Sequence, residues 1–110
     1  MGGRHMFLAA AIAAATAPAA AAPGMAQEAG QPSRGLELAR QLCAQCHAVE
    51  KRQARSPNVN APRFEVIASV PGMTAIALAA TLNTSHRTMP NIMLAADERA
   101  DIIAYILALK

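Results

Sequence analysis

The sequence has no tryptophan, one tyrosine and two phenylalanines in 110 residues. So few large rings cannot fill an ordinary core, although 54% of the residues are hydrophobic; the excess is alanine. Only two cysteines are present, too few for a disulfide-dense secreted scaffold, which needs about four or more. Charge is sparse as well: 10 Lys+Arg stand against 7 Asp+Glu, a formal net charge of +3. No block of one sign and no fixed repeat runs through the chain. Collagenous, coiled-coil and charge-driven disordered classes are thereby excluded, and the length allows one small domain at most.

What is present begins with a leader. Arg4 and His5 open it, Phe7-Leu8 lead an Ala/Ile run broken by Pro18, and small residues continue to Ala26. A basic start, an apolar middle and a small-residue exit describe a secretory signal peptide over residues 1–26. Cleavage after Ala26 leaves Gly24 and Ala26 at the two positions that must be small; cleavage after Ala22 would place Pro23 just past the cut. An uncleaved anchor is the alternative, but the run is near the lower limit of about 17–25 residues and alanine partitions weakly into lipid. No other segment is apolar enough to span a membrane. The expected destination is the periplasm.

About 84 residues remain, with nine basic and seven acidic side chains, and with Phe64 and Tyr105 as the only aromatics. Domains below about 70–80 residues seldom gain more than a few kcal/mol from a core alone and usually carry a staple or a cofactor. A chain of this size with so few large side chains invites the same expectation.

Residues 27–34 read as a short flexible leader and 35–110 as the domain. From Arg34 to Gln45 the chain is helix-permissive, with Leu38, Leu42 and Cys46 spaced by four on one face. Val49 to Pro62 is loop, since two prolines and two asparagines crowd its second half. Phe64–Ile67 is expected as a helical turn because no partner strand is in sight. Pro71-Gly72 is a turn, followed by a helix over Met73–Leu82 with Ile76, Ala79 and Ala80 facing one way. Asn83–Ala95 is irregular. The last helix is expected over Ala96–Leu109, burying Ile102, Tyr105, Ile106 and Leu109. Asp97, Glu98 and Asp101 suit its N-terminal end and Lys110 the other; Ala95 offers no side-chain cap. The fold class is all-α, in three to four short helices.

Cys43-Ala44-Gln45-Cys46-His47 is where the chemistry concentrates. Two thiols three residues apart can add to two vinyl groups on one edge of a haem, and the next residue, His47, then lies under the iron. That is the physical content of the C-x-x-C-H pattern. A thioredoxin-like pair needs a βαβ context that is missing. A zinc site drawing on Cys43, Cys46, His47 and His86 would need adjacent Cys46 and His47 as simultaneous tetrahedral ligands, an awkward geometry. A structural disulfide would close only a tiny loop and stabilise little. One covalently bound haem c also replaces the missing core.

A second axial ligand is sought in the irregular stretch. Met89 sits in a loop beside Pro90, which stiffens the backbone, and is the favoured residue. Met93, Met73 and His86 are the competitors, since methionine is more often a gap-filler than a ligand.

With Gly35, the Cys43–His47 motif, Met89-Pro90 and Asp101-Ile-Ile-Ala-Tyr105-Ile106 in that order, the chain resembles a small soluble single-haem class I cytochrome c of the bacterial periplasmic type. The resemblance spans Gly35 to Lys110. It implies helices wrapped around one haem, and a first-helix glycine packed against a last-helix aromatic, here Gly35 against Tyr105 with Ile102 beside them. The family often has a large aromatic where this chain has Ala39, which implies a closer or less well packed crossing. It also implies a loop proline whose carbonyl accepts a hydrogen bond from the axial histidine; both Pro57 and Pro62 qualify.

The function expected is electron transfer between a reductase or dehydrogenase and an oxidase or reductase, with His47 and Met89 fixing both axial positions. Lys51, Arg52, Arg55, Arg63 and Arg87 form a basic set suited to an acidic docking face on a redox partner. Two alternatives stand beside this reading: a dedicated haem subunit of a periplasmic dehydrogenase, and a ligand-binding or peroxidase-like haem with an open sixth site. No catalytic constellation can be assembled, so the chain is not read as an enzyme. Nucleic acid is not an expected partner, and a monomer is expected.

Overall fold

The structure, a computed structural model, describes residues 1–3, 17–19, 29–84 and 88–110. Most of the segment read as a signal peptide lies outside the described residues, as do His86 and Arg87. Four helices appear among the described residues, α1 (Pro32–Leu42), α2 (Phe64–Ala68), α3 (Ala75–Asn83) and α4 (Ala96–Leu107), with no strand. The all-α expectation holds.

The first helix starts earlier than expected, inside the segment read as flexible leader. Pro32 occupies its first turn, where a fixed φ is pre-organised and a missing N–H costs nothing. The residues before it are not loose. A Cβ built on Gly30 would stand 1.9 Å from the carbonyl oxygen of Ala100, so the chain lies flat against α4 already at residue 30. Gln31 N–H donates to Asp101 Oδ1 at 2.7 Å.

The crossing of α1 and α4 organises the fold. At Gly35 a Cβ would meet the carbonyl oxygen of Asp101 at 2.0 Å and Tyr105 Cβ at 2.7 Å. Only hydrogen fits between the two backbones there. The buried line of α1 is Gly35, Ala39 and Cys43, not the expected Leu38, Leu42 and Cys46. Small residues win that face because they let the helices approach; Leu38 flanks the contact, and Leu42 is exposed. With Ala39 fully buried where a larger ring was to be missed, the close crossing is the outcome.

The buried stripe of α4 is as expected, with Ile102, Tyr105 and Ile106 inside; the helix ends at Leu107, two residues short of expectation, and Leu109 is buried in the turn just past it. The first turn of α4 is closed by Glu98, whose carboxylate accepts the Ala95 N–H at 2.9 Å. Asp101 was expected to serve the dipole of its own helix. It is instead buried against the start of α1, with Oδ2 3.4 Å from Arg34 Nε.

The 75–83 helix starts after Thr74, whose Oγ1 accepts the Ala77 N–H at 3.2 Å. Gly72 before it takes φ +77°, a turn value that a side chain would strain. The helix packs through Leu78, with Ala79 and Leu82 part-buried beside it. Ile76, 83% exposed, and Ala80, also exposed, do not share the inward side of part-buried Ala79, so the expected common face divides. Two residues from Leu78, Ile76 lies about 200° round the helix and faces away. The turn expected at Phe64–Ile67 is α2, which buries Phe64 and Ala68.

Ile102 and Val49 are the largest side chains buried essentially completely among the described residues. Phe64 and Tyr105 are the two large rings in the buried cluster, as the composition implied.

Candidate haem site

α1 ends at Leu42, but its spiral continues for one irregular turn through the cysteine motif. Cys43 N–H and Ala44 N–H both reach the Ala39 carbonyl, at 2.8 and 2.9 Å. The Cys43 carbonyl then accepts from Cys46 N–H at 3.1 Å and from His47 N–H at 2.9 Å. This turn gathers Cys43, Cys46 and His47 at the end of a helix fixed by the α4 crossing. The two cysteines are free thiols, Cys43 buried and Cys46 half-buried. Burial pushes the Cys43 thiol up to about 11.

His47 is buried, and its Nδ1 lies 2.7 Å from the carbonyl oxygen of Pro62. A carbonyl can only accept, so Nδ1 carries the proton and donates; in the neutral imidazole this leaves Nε2 with the free lone pair. Pro62, not Pro57, is therefore the supporting proline. Phe64, two residues on, packs its ring 5.5 Å from the imidazole at 53°, and Tyr105 packs against Phe64 in turn at 6.4 Å. The Tyr105 hydroxyl donates to the Val49 carbonyl at 2.5 Å. Burial raises its pKa above the ordinary phenol value.

Met89 is half-buried in the stretch before α4 and lines a narrow apolar cleft with Cys43, Leu42, Leu82, Ile92 and Leu94. The end of α1, the end of α3 and the 89–94 segment form its walls. Of the competing methionines, Met93 is 86% exposed, and Met73 packs part-buried against the core. The cleft brings Cys43 and Met89 together; Cys46 and His47 do not line it and follow Cys43 in the irregular turn. An apolar wall, two free thiols, an imidazole with a free nitrogen and a thioether form a donor set that fits haem c.

Sequence reasoning passed over two contributors to this arrangement. Ser56 Oγ accepts the Ala48 N–H at 2.9 Å, and Asn58 N–H donates to the Cys46 carbonyl at 3.1 Å. Neither carries a motif; only the fold of the loop reveals them. Of the basic set, Lys51, Arg52 and Arg55 are exposed. Arg63 is half-buried and engaged, donating to the Gln53 carbonyl at 3.3 Å and pairing with Glu65 at 3.6 Å. Arg40 and Glu50 pair at 2.5 Å just outside the motif, and that hydrogen bond holds the Glu50 carboxyl below its usual range.

No protein-family model and no solved structure matches the chain. Among curated proteins it is similar to "Cytochrome c-552" of Bradyrhizobium diazoefficiens, 35% identical over 82 residues. The match covers 74% of this chain and 78% of that protein. Similarity of that extent, on a helical chain built around a Cys43–His47 motif and a Gly35–Tyr105 crossing, places the chain among the small class I cytochromes c.

Proposed function

We propose that the chain binds one haem c through thioether bonds from Cys43 and Cys46, with His47 and Met89 as the axial ligands. Its work is to carry single electrons between redox proteins outside the cytoplasmic membrane. As a cytochrome c it is a haem electron-transfer protein, and the finer assignments rest on its own residues. The observation that supports the His47 assignment is the 2.7 Å hydrogen bond from Nδ1 to the Pro62 carbonyl, which in the neutral ring leaves Nε2 free to serve as a ligand. When bound, haem c supplies a reversible Fe(III)/Fe(II) couple.

The residues divide the remaining work. Donation from Nδ1 to Pro62 fixes the tautomer of His47 and raises its basicity. The Met89 thioether is a soft donor and favours the reduced state, which raises the potential. Leu82, Ile92 and Leu94 give the cleft an apolar lining. Two axial side chains leave no site for a substrate, which supports a carrier over an enzyme. The 1–26 leader supports export to the periplasm, and among the described residues no helix is long and apolar enough to cross a membrane. Exposed Lys51, Arg52 and Arg55 are the cations offered to an acidic partner face. Arg52 sits at φ +62°, where an arginine is strained and a glycine is not. Docking supplies a reason for a cation there.

The test is an absorption spectrum of the oxidised and reduced protein, exported to the periplasm, for the wild type and Met89→Ala. The reading expects a c-type haem spectrum with the weak methionine–iron charge-transfer band in the oxidised wild type and its loss in the variant. Rapid carbon monoxide binding by the ferrous wild type at neutral pH would sink it in favour of an open sixth site.

A further inference from the structure

Every backbone group flanking His47 that the structure shows bonded to the following loop meets it within one short span. Cys46 C=O accepts from Asn58 N–H at 3.1 Å, and Ala48 C=O accepts from Phe64 N–H at 3.0 Å. Ala48 N–H donates to Ser56 Oγ at 2.9 Å, and His47 Nδ1 donates to Pro62 O at 2.7 Å. In these four bonds, Ser56 is the one residue of the loop that takes part through its side chain. It is thus the one loop group that a substitution can delete while leaving the backbone partners in place.

We propose that Ser56 is a positioning residue for His47, setting the strength of the His47–Pro62 hydrogen bond. The proposal rests on the reading of His47 as an axial ligand. Ala48 is 1% exposed, so its N–H, held by the Ser56 hydroxyl, has little access to solvent of its own. A buried donor left without a partner is costly enough to drive a local shift. Ala48 would rotate to find one, and its carbonyl would move with it. That carbonyl holds Phe64 N–H, two residues past Pro62. Loosening it frees the Pro62 carbonyl to drift from Nδ1. A weaker bond makes the imidazole less basic and stabilises the oxidised iron less, so the potential rises.

The experiment compares the haem-loaded wild type with Ser56→Ala and Ser56→Thr. It reads the midpoint potential, the solvent exchange of the His47 Nδ1 proton by NMR in the ferrous state, and the thermal midpoint. Ser56→Ala is expected to raise the potential and to speed exchange about five- to tenfold, as loss of one hydrogen bond would. Ser56→Thr keeps the hydroxyl and returns both readouts to the wild-type side. A lower thermal midpoint with potential and exchange unchanged would make Ser56 merely structural and overturn the proposal. Should Ser56→Ala fail to accumulate, Ser56→Asn sets its acceptor farther out and is expected to shift both readouts in the same direction; wild-type values there would overturn it equally. A wild type without haem removes the ligand reading and the proposal together. A wild type with haem and an indifferent Ser56→Ala removes the proposal alone.

Discussion

Asp101 of α4 and Gln31 at the head of α1 stand seventy positions apart in the chain, joined by a 2.7 Å hydrogen bond from backbone N–H to carboxylate. The helix thus begins beside a negative charge that its own sequence does not supply, at the end where the helix dipole favours one. Asp101→Ala is expected to cost about 2 kcal/mol, within the range for a hydrogen bond to a charged group. Asp101→Asn keeps an acceptor and is expected to lose about half as much. Urea unfolding of the haem-loaded protein at pH 7 measures both; equal losses would mean that the charge is what matters and the acceptor is not.

Gly35→Ala tests the crossing from the other side. On an exposed helix the change would gain about 1 kcal/mol. Here the added methyl would lie 2.0 Å from the Asp101 carbonyl oxygen, which is backbone and cannot swing aside. The helices must part, and we expect a net loss of about 3 kcal/mol, at the upper end for an overpacked core. A thermal midpoint unchanged or raised would show that α1 and α4 can separate freely.

Tyr105→Phe removes the hydroxyl that meets the Val49 carbonyl and is expected to cost about 1 kcal/mol at neutral pH. The pH dependence gives a second readout. Burial raises the phenol's pKa above its ordinary value of about 10. The folded protein therefore holds that proton more tightly than the unfolded chain. Stability from the neutral phenol is complete below about pH 10 and is lost as pH rises through the raised value. The variant, having nothing to ionise there, should show a flatter decline in its urea midpoint between neutral pH and that alkaline limb. Parallel curves for the two proteins would contradict this.

Loss of haem should undo the fold more than any single side chain. Among the described residues, the buried cluster holds only two large rings, Phe64 and Tyr105, beside Leu78, Ile102, Ile103, Ile106 and Leu109, and a haem would add the largest apolar surface for the helices to pack around. Cys43→Ala combined with Cys46→Ala is expected to abolish thioether attachment. Far-ultraviolet circular dichroism should then show most of the helical signal gone. A haem-free chain with native helicity would mean that the alanine-rich core suffices.

The sequence made the helices and the haem motif readable because each rests on local pattern: apolar steps along α4, and two cysteines with a histidine at fixed spacing. Long-range contacts were less accessible. Asp101 looked like a residue serving its own helix, since periodicity carries no record of the Gln31 N–H seventy positions earlier. Leu38 and Leu42 drew attention on α1 because they are the larger apolar residues. The crossing is made by Gly35 and Ala39, whose value is the space they do not fill; Gly35 against Tyr105 was legible through the family resemblance and not through the apolar pattern. Pro57 and Pro62 could not be separated by spacing, because the loop's path, and not its length, decides which carbonyl faces His47. Ser56 left no trace at all, as a lone serine in a polar loop is ordinary.

Because Gln31 is tied to Asp101 and Lys110 Nζ donates to the Met73 carbonyl at 2.8 Å, the described domain is closed on itself like a clasped bracelet. For a closure of this span the entropic cost grows only with the logarithm of the enclosed length, about 0.6 kcal/mol per doubling. Extra residues near Asn60, at the exposed outer bend of the loop, would lengthen the band without loosening the clasp. The same insertion between Gly30 and Gly35 would slide one half of the clasp past the other.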